Sequence, residues 1–203
     1  MQPTFSQDWF TGHIPHWKRL LEEFVGRPAL RFCEVGSFEG RSATWLLQNI
    51  LTDPTARLTC IDTFVFRAAD YTHDVPAVDI SARFDRNIAV TGAAYKVRKL
   101  VGPSRVILRT LPVGTFDFIY IDGSHRAPDV LTDAVLAWDL LKEDGMLLFD
   151  DYGFQALPEA VGNPSVAIDA FLHMYRGSYE ILHRGWQLAL RRSVAAPVPV
   201  PSI

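Results

Sequence analysis

Cysteine is almost absent from this chain: Cys33 and Cys60 are the only two among 203 residues. No Cys/His pair has zinc-ligand spacing, and no base sits beside either thiol in sequence, so thiolate metal sites and thiol catalysis are without support. Both cysteines fall inside apolar runs, Leu30-Arg-Phe-Cys33-Glu-Val and Leu58-Thr-Cys60-Ile-Asp, where buried, reduced thiols are expected, as in cytoplasm. Long apolar runs are missing as well. No stretch approaches the ~20 residues of a membrane span, and the amino end, Met1-Gln-Pro-Thr-Phe-Ser-Gln-Asp8, has neither the basic nor the apolar region of a signal peptide. Basic clusters are lacking too, and the net charge is −3, which argues against nucleic acid as a partner. What remains is a cytoplasmic protein with 48% hydrophobic and 21% charged residues, enough for one full core. The expected organisation is one domain over residues 1–194, with residues 1–28 a helical extension and 195–203 a flexible Pro-rich tail.

The chain alternates between the two hydrophobic periods. Ile14, Trp17, Leu20, Leu21 and Phe24 fall on one helical face, with Pro15 suited to a first turn. Strands are then predicted over Arg31–Val35 and residues 58–62, 96–101, Phe116–Ile121 and 146–149. Helices are predicted between them over 41–51, Ile80–Val90, 105–111 and a segment whose core face carries Val130, Ala134, Ala137, Trp138 and Leu141. A helix from Asn163 to about Tyr175, with Ala167, Phe171 and Met174 inward, precedes a hairpin of residues 179–183 and 187–191 around Arg184-Gly185-Trp186. Such alternation implies parallel strands with right-handed crossovers, a doubly wound three-layer α/β/α sandwich closed by an antiparallel strand. Residues 63–77, with Phe64, Phe66, Arg67, Tyr71 and His73, show no periodicity and read as a binding loop or lid. Trp9, Phe10, His13 and His16 read either as packing at the domain edge or as part of a lid. Aromatics exposed near Trp9 and Trp17 would be compatible with a homodimer.

Two strand ends concentrate the ionisable chemistry. Phe116-Asp-Phe-Ile-Tyr-Ile-Asp122-Gly-Ser-His125 and Phe149-Asp150-Asp151-Tyr152 are apolar runs that stop abruptly in carboxylates. In a parallel sheet, neighbouring strands open their carboxyl ends into one crevice. Asp122, Asp150, Asp151 and His125 are therefore expected to converge. Several acids in one place call for a cation, and oxygen donors favour a hard one such as Mg²⁺. Helix capping is the plainer role for one or two of these acids, and His125 also fits the first turn of the next helix.

At the other end of the pattern, Glu34-Val-Gly36-Ser37-Phe-Glu-Gly40-Arg-Ser42 joins the first strand to its helix. The glycine spacing is Gly-x-x-x-Gly, which departs from the dinucleotide fingerprint. An acid at the head of such a loop repels a pyrophosphate yet can accept hydrogen bonds from a cationic or polar ligand. Asp62 ends the second predicted strand, where an acid can hold the two hydroxyls of a ribose. A ribose-containing ligand without a diphosphate fits both features, and S-adenosylmethionine is one.

Over residues 31–191 the chain resembles the class I S-adenosylmethionine-dependent methyltransferases. Within that class it looks like the small-molecule O-methyltransferases that include cephalosporin- and macrolide-tailoring and catechol-type enzymes. The resemblance implies a Rossmann-like, seven-stranded sheet of order 3-2-1-4-5-7-6 with strand 7 antiparallel. It implies cofactor contacts at Glu34, Gly36, Ser37, Gly40, Ser42, Asp62, Thr63, Ser104 and Asp122, with Ser104 flanking the adenine. It also implies Mg²⁺ on Asp122, Asp150 and Asp151, and a base at His125 where the catechol-type enzymes have lysine. An imidazole with an ordinary pKa of about 6.5 can accept a proton at neutral pH without the large shift that a lysine needs.

The expected activity is O-methylation of a hydroxyl on a small-molecule acceptor, a sugar, a phenol or a natural-product alcohol. His125 and Asp122 are the expected catalytic residues, and Tyr152, Phe154, Phe64, Phe66 and Trp186 are candidate walls for the acceptor ring. Three alternatives stay open: a metal-independent methyltransferase, a nicotinamide-dependent oxidoreductase, which the glycine spacing disfavours, and a catalytically silent adenosylmethionine-binding protein, which has no use for the acids.

Overall fold

The computed structural model describes residues 2–65, 79–155 and 162–193. Seven strands form a single sheet of order β3-β2-β1-β4-β5-β7-β6, with β1 Arg31–Val35, β2 Arg57–Asp62, β3 Val97–Val101, β4 Phe116–Ile121, β5 Leu141–Phe149, β6 Tyr179–Arg184 and β7 Leu188–Arg192. The first five run parallel, and β7 is antiparallel to both β5 and β6. This is the expected topology. The central strands read as unbroken apolar runs because both their faces are covered. Phe32, Leu58, Phe118 and Leu148 pack on one side with Trp17, Leu46 and Phe84. Cys33, Ile61, Ile119 and Leu147 pack on the other with Ala134, Trp138 and Phe171. Six helices supply those layers: α1 Ile14–Leu20, α2 Arg41–Asn49, α3 Ile80–Val90, α4 Ser104–Ile107, α5 Ala127–Leu140 and α6 Pro164–Met174.

Local chemistry sets several boundaries. Asp79 caps α3 by accepting from the Ala82 amide at 2.9 Å, and proline in the first turn opens both α5 and α6. Before the sheet, the amino-terminal segment is tied down by polar contacts. The Thr4 amide donates to Asn87 Oδ1 at 2.9 Å, and the Ser6 amide and hydroxyl both donate to the buried Glu39 carboxylate.

Four expectations are corrected. Trp17 is fully buried, its indole packed edge-on against Phe10 and Tyr120, so among the two tryptophans near the amino end Trp9 alone is exposed. The first helix stops at Leu20; Leu21 leaves helical dihedrals and a 3₁₀ turn at Glu22–Phe24 follows, which lets Leu21 and Phe24 both reach the core. Met174 is exposed, at the frayed carboxyl end of α6 beyond the layer that Phe171 and Leu172 fill. Strand β5 gains an irregular lead-in from Leu141, which pairs with Phe116 before the register shifts. The Pro-rich segment 195–203 and residues 66–77 of the expected loop lie outside the described residues. Among the described residues, no helix is long and apolar enough to cross a membrane.

One backbone approach controls the carboxyl edge of the sheet. Gly36, at φ +89°, lies so close to β4 that a Cβ there would stand 1.8 Å from the carbonyl oxygen of Asp122 and 2.8 Å from Gly123 Cα. Gly92, at φ +72°, has open space around it. Gly36→Ala is therefore expected to cost about 4 kcal/mol or more, because backbone must move, whereas Gly92→Ala should cost only ~1 kcal/mol of left-handed strain. Urea denaturation of the two variants checks this; similar midpoints would refute the close-contact account.

Candidate active site

A cavity of about 670 Å³ opens at the carboxyl ends of β1, β2, β4 and β5, within the size range of small-molecule sites. Gly36, Asp62, Thr63, Ser104, Asp122, His125, Asp150 and Asp151 all line it. Residues from five separate segments of the chain thus meet as the two sequence motifs suggest. Four other expected residues, Glu34, Ser37, Gly40 and Ser42, are buried beneath the cavity without lining it. Gly40 instead makes room for Phe84, whose ring would stand 3.0 Å from a Cβ at that position.

Asp62 organises the loop from below. Its Oδ2 accepts from the Phe38 amide at 2.8 Å and its Oδ1 from the Phe64 amide at 2.6 Å. Gly36 N–H donates to the Ile61 carbonyl at 2.8 Å, which ties the glycine turn to β2. Glu34 accepts a hydrogen bond from Ser42 Oγ, while its Oε2 has no hydrogen-bond partner among the described residues. Complete burial pushes the Glu34 carboxyl up to about 7. Burial likewise pushes both thiols up, so Cys33 and Cys60 are inert structural side chains.

The acids of β4 and β5 are held by hydrogen bonds. The Tyr120 hydroxyl donates to Asp150 Oδ2 and lies 3.0 Å from Asp122 Oδ2. Asp150 is further held by Gln187 Nε2, 3.1 Å from the same Oδ2, and by the Asp151 amide, 2.8 Å from its Oδ1. A phenol has one proton. With that proton given to Asp150, the contact to Asp122 needs a hydrogen on the Asp122 side. Burial, then the charges of Asp150 and Asp151, push the Asp122 carboxyl well above the usual carboxylate range, consistent with Asp122 as the protonated member. Asp151 adopts φ +57° and turns to His125, whose Nε2 is 2.8 Å from its Oδ2. The His125 ring stacks on Phe154, with centroids 4.6 Å apart. A neutral imidazole that donates through Nε2 carries its lone pair on Nδ1, and the carboxylate behind it stabilises the ring once protonated.

The expected metal site is not formed in this structure. Asp122, Asp150 and Asp151 are hard oxygen donors at one wall, the donor type that suits a divalent cation. Yet no group of three or more His, Cys, Asp or Glu among the described residues converges closely enough to hold a metal ion. The Tyr120 hydroxyl lies between two of the acids and Asp151 is engaged by His125.

Sequence reading missed several residues. Tyr120 stands two positions before Asp122, and strand alternation places the two on one side of the sheet, a usable signal. Asp133 was legible as an acid three residues beyond Val130 on an otherwise apolar helix face; it lines the cavity, accepts from Ser104 Oγ at 2.9 Å, and is pushed up to about 6 by burial. Of the residues already expected at a lid or acceptor wall, His13, Phe154 and Trp186 line the cavity. Tyr152 does not; its hydroxyl donates to Asp169 at 2.9 Å. Phe64 is buried in the core against Phe84, and Phe66 lies outside the described residues.

The arrangement has known counterparts. A family described as a methyltransferase domain matches residues 33–152, from β1 through the paired acids. The chain belongs to this methyltransferase family. A relative, the O-methyltransferase hkm8 of Aspergillus hancockii, is 32% identical over 132 residues, covering 55% of this chain and 52% of that protein. An uncharacterised protein, R132, of Acanthamoeba polyphaga mimivirus is 28% identical over 123 residues, and again 52% of its length is covered. The chain thus spans about half the length of these relatives. Among solved structures, the O-methyltransferase TomG of Streptomyces achromogenes, in complex with SAM, superposes with a TM-score of 0.63 at 21% identity. That match covers 89% of this chain and 80% of TomG. At that identity the likeness establishes the methyltransferase fold.

The buried acid of the glycine loop makes stability depend on pH in a defined direction. A carboxyl whose native pKa is raised from 4.5 to about 7 destabilises the fold above pH 7 and ceases to do so as pH falls toward 4.5. Glu34→Gln, which keeps an acceptor for Ser42, should therefore stabilise the methyltransferase by up to about 3 kcal/mol at pH 8.5 and by little at pH 4.5. Denaturant titrations at the two pH values test this, and a gain independent of pH would contradict it.

Proposed function

We propose that this methyltransferase uses S-adenosylmethionine to methylate a hydroxyl on a small-molecule acceptor, in the cytoplasm, with His125 as general base. The observation that carries the reading is the His125–Asp151 pair on the cavity wall beside Asp122 and Asp150, 2.8 Å between Nε2 and Oδ2. An imidazole backed by a carboxylate suits removal of a hydroxyl proton. The names of TomG and hkm8 describe O-methyltransferases, in agreement with an oxygen acceptor.

Bound S-adenosylmethionine supplies a methyl group on a positively charged sulfur. The chain's part is to hold the acceptor oxygen in line with it and take its proton. His125 would accept that proton as the methyl group is transferred to the acceptor oxygen. Asp151 then stabilises the imidazolium through Nε2. Asp62, already supporting the loop with both oxygens, lies where ribose hydroxyls would be read, and Thr63 and Ser104 line the same part of the wall. Phe154, stacked on His125, and Trp186 line the same cavity and would offer the acceptor apolar faces.

A divalent cation such as Mg²⁺ could be held by Asp122, Asp150 and Asp151 only once Tyr120 and His125 release these acids, and it would then lower the pKa of the acceptor hydroxyl. This part of the proposal is supported by the donor chemistry and by a structural neighbour, the MycE methyltransferase of the mycinamycin biosynthetic pathway. MycE was solved in complex with Mg, SAH and mycinamycin VI, and it shares the fold at a TM-score of 0.64 and 14% identity, with 98% of this chain and 54% of that one covered.

Calorimetric titration of S-adenosylmethionine in excess Mg²⁺ and in EDTA, followed by Mg²⁺ into the cofactor-loaded protein, is the first test. Saturable cofactor binding is expected in both, with a Mg²⁺ signal lost in Asp150→Ala/Asp151→Ala. Cofactor binding without a Mg²⁺ signal would leave His125 acting alone, and absence of cofactor binding would refute the proposal. With an acceptor in hand, His125→Ala should lower turnover by ~10²–10⁴-fold, and near-full activity would remove its role as base.

A further inference from the structure

Gln187, immediately before β7, is a fully buried uncharged polar side chain leading into the apolar Leu188-Ala-Leu190. Its Oε1 accepts from Trp17 Nε1 at 2.8 Å and lies 2.7 Å from His16 Nε2. Its Nε2 is 3.1 Å from Asp150 Oδ2 and 3.5 Å from the Tyr120 hydroxyl. An indole N–H only donates. The Trp17 contact therefore settles which end of the amide is oxygen, and the opposite orientation would set an NH₂ against the indole N–H and the other oxygen against a carboxylate. The amide can only donate to Asp150.

That donation settles what Tyr120 and Asp150 do in turn. Asp150 Oδ2 receives Gln187 and Tyr120, and Oδ1 receives the Asp151 amide, so the carboxylate is held in one rotamer from three directions. We infer that Gln187 is the positioning residue for Asp150, and that the indole of Trp17 on α1 sets it. The amino-terminal helix thereby becomes part of the working site, although Trp17 does not line the cavity. His16, stacked on His183 at 4.7 Å, adds a second donor to the same amide oxygen. The kinetic readout of this inference rests on the proposed function; its crystallographic readout does not.

Gln187→Met is the informative variant, because it removes both contacts, whereas Trp17→Phe removes only the anchor. In Gln187→Glu one carboxyl oxygen can still accept from Trp17 and His16, and burial against Asp150 keeps a proton on the other for Asp150 to accept, so this variant should leave Asp150 in place. Crystal structures of Gln187→Met are expected to show the Asp150 carboxylate displaced. Kinetics should show kcat reduced by ~10–100-fold in Gln187→Met, the usual scale for a residue that orients a ligand-binding group. Cofactor affinity should stay within about twofold, a scale too small to matter against a tenfold loss. Trp17→Phe combined with Gln187→Met should be no slower than Gln187→Met alone, because the two act through one amide. An unmoved Asp150 in Gln187→Met, or multiplicative losses in the double variant, would overturn the inference. If the wild-type protein failed to bind S-adenosylmethionine, the functional proposal would fall and the position of Asp150 would decide the inference.

Discussion

Like charges gather in a protein cavity only where something answers them. Three carboxylates meet at the ends of β4 and β5, and the structure around them supplies the answers one group at a time. Tyr120, Gln187 and the Asp151 amide donate to Asp150, burial and the neighbouring acids push the Asp122 carboxyl well up, and His125 engages Asp151. None of these donors is a loose surface side chain. Tyr120 is buried in β4 and Gln187 is buried immediately before β7, so the hydrogen bonds come preassembled by the sheet and cost little ordering when a ligand arrives. The same charge that makes the resting site awkward is what equips it for a cation or a proton to be taken up during chemistry.

Closeness of the β1 and β4 edges is the second condition. Gly36 lies against the Asp122 carbonyl, and the Asp122 amide donates to the Val35 carbonyl at 2.8 Å. The glycine loop and the first acid therefore move as one unit. Asp62 extends this rigid edge by tying Phe38 and Phe64 to β2. A cofactor bound over the loop would inherit its position relative to the acids directly from backbone contacts, which is the kind of positioning that methyl transfer requires.

Much of this was legible before any coordinates. The alternation of β and α segments gave the doubly wound sandwich because parallel strands need right-handed crossovers, the resemblance supplied the strand order, and strands such as Phe116–Ile121 ended where their apolar runs met carboxylates. Ile80–Val90 emerged with its expected bounds, and Asp79 caps it in the structure. Boundaries without such markers moved. Met174 fits the period of α6 yet lies beyond the layer it would pack against, and Trp17 looked available at the amino end until α1 folded it onto Phe10 and Tyr120. Periodicity assigns a face to a residue; the depth of burial depends on what the neighbouring element covers.

Residue types and their order along the chain by themselves determined the fold, the meeting of Asp62, Asp122, His125, Asp150 and Asp151 at one edge, and membership of a methyltransferase family. These follow from local period, from strand-end position and from chirality rules that operate on the chain in order. Tertiary structure alone decided how the acids are partnered. Gln187 and Trp17 lie 170 residues apart and share one hydrogen bond, and Gln187 reaches Asp150 across 37 residues. A side-chain hydrogen bond between distant segments depends on rotamer, register and depth together, and none of the three leaves a spacing in the sequence.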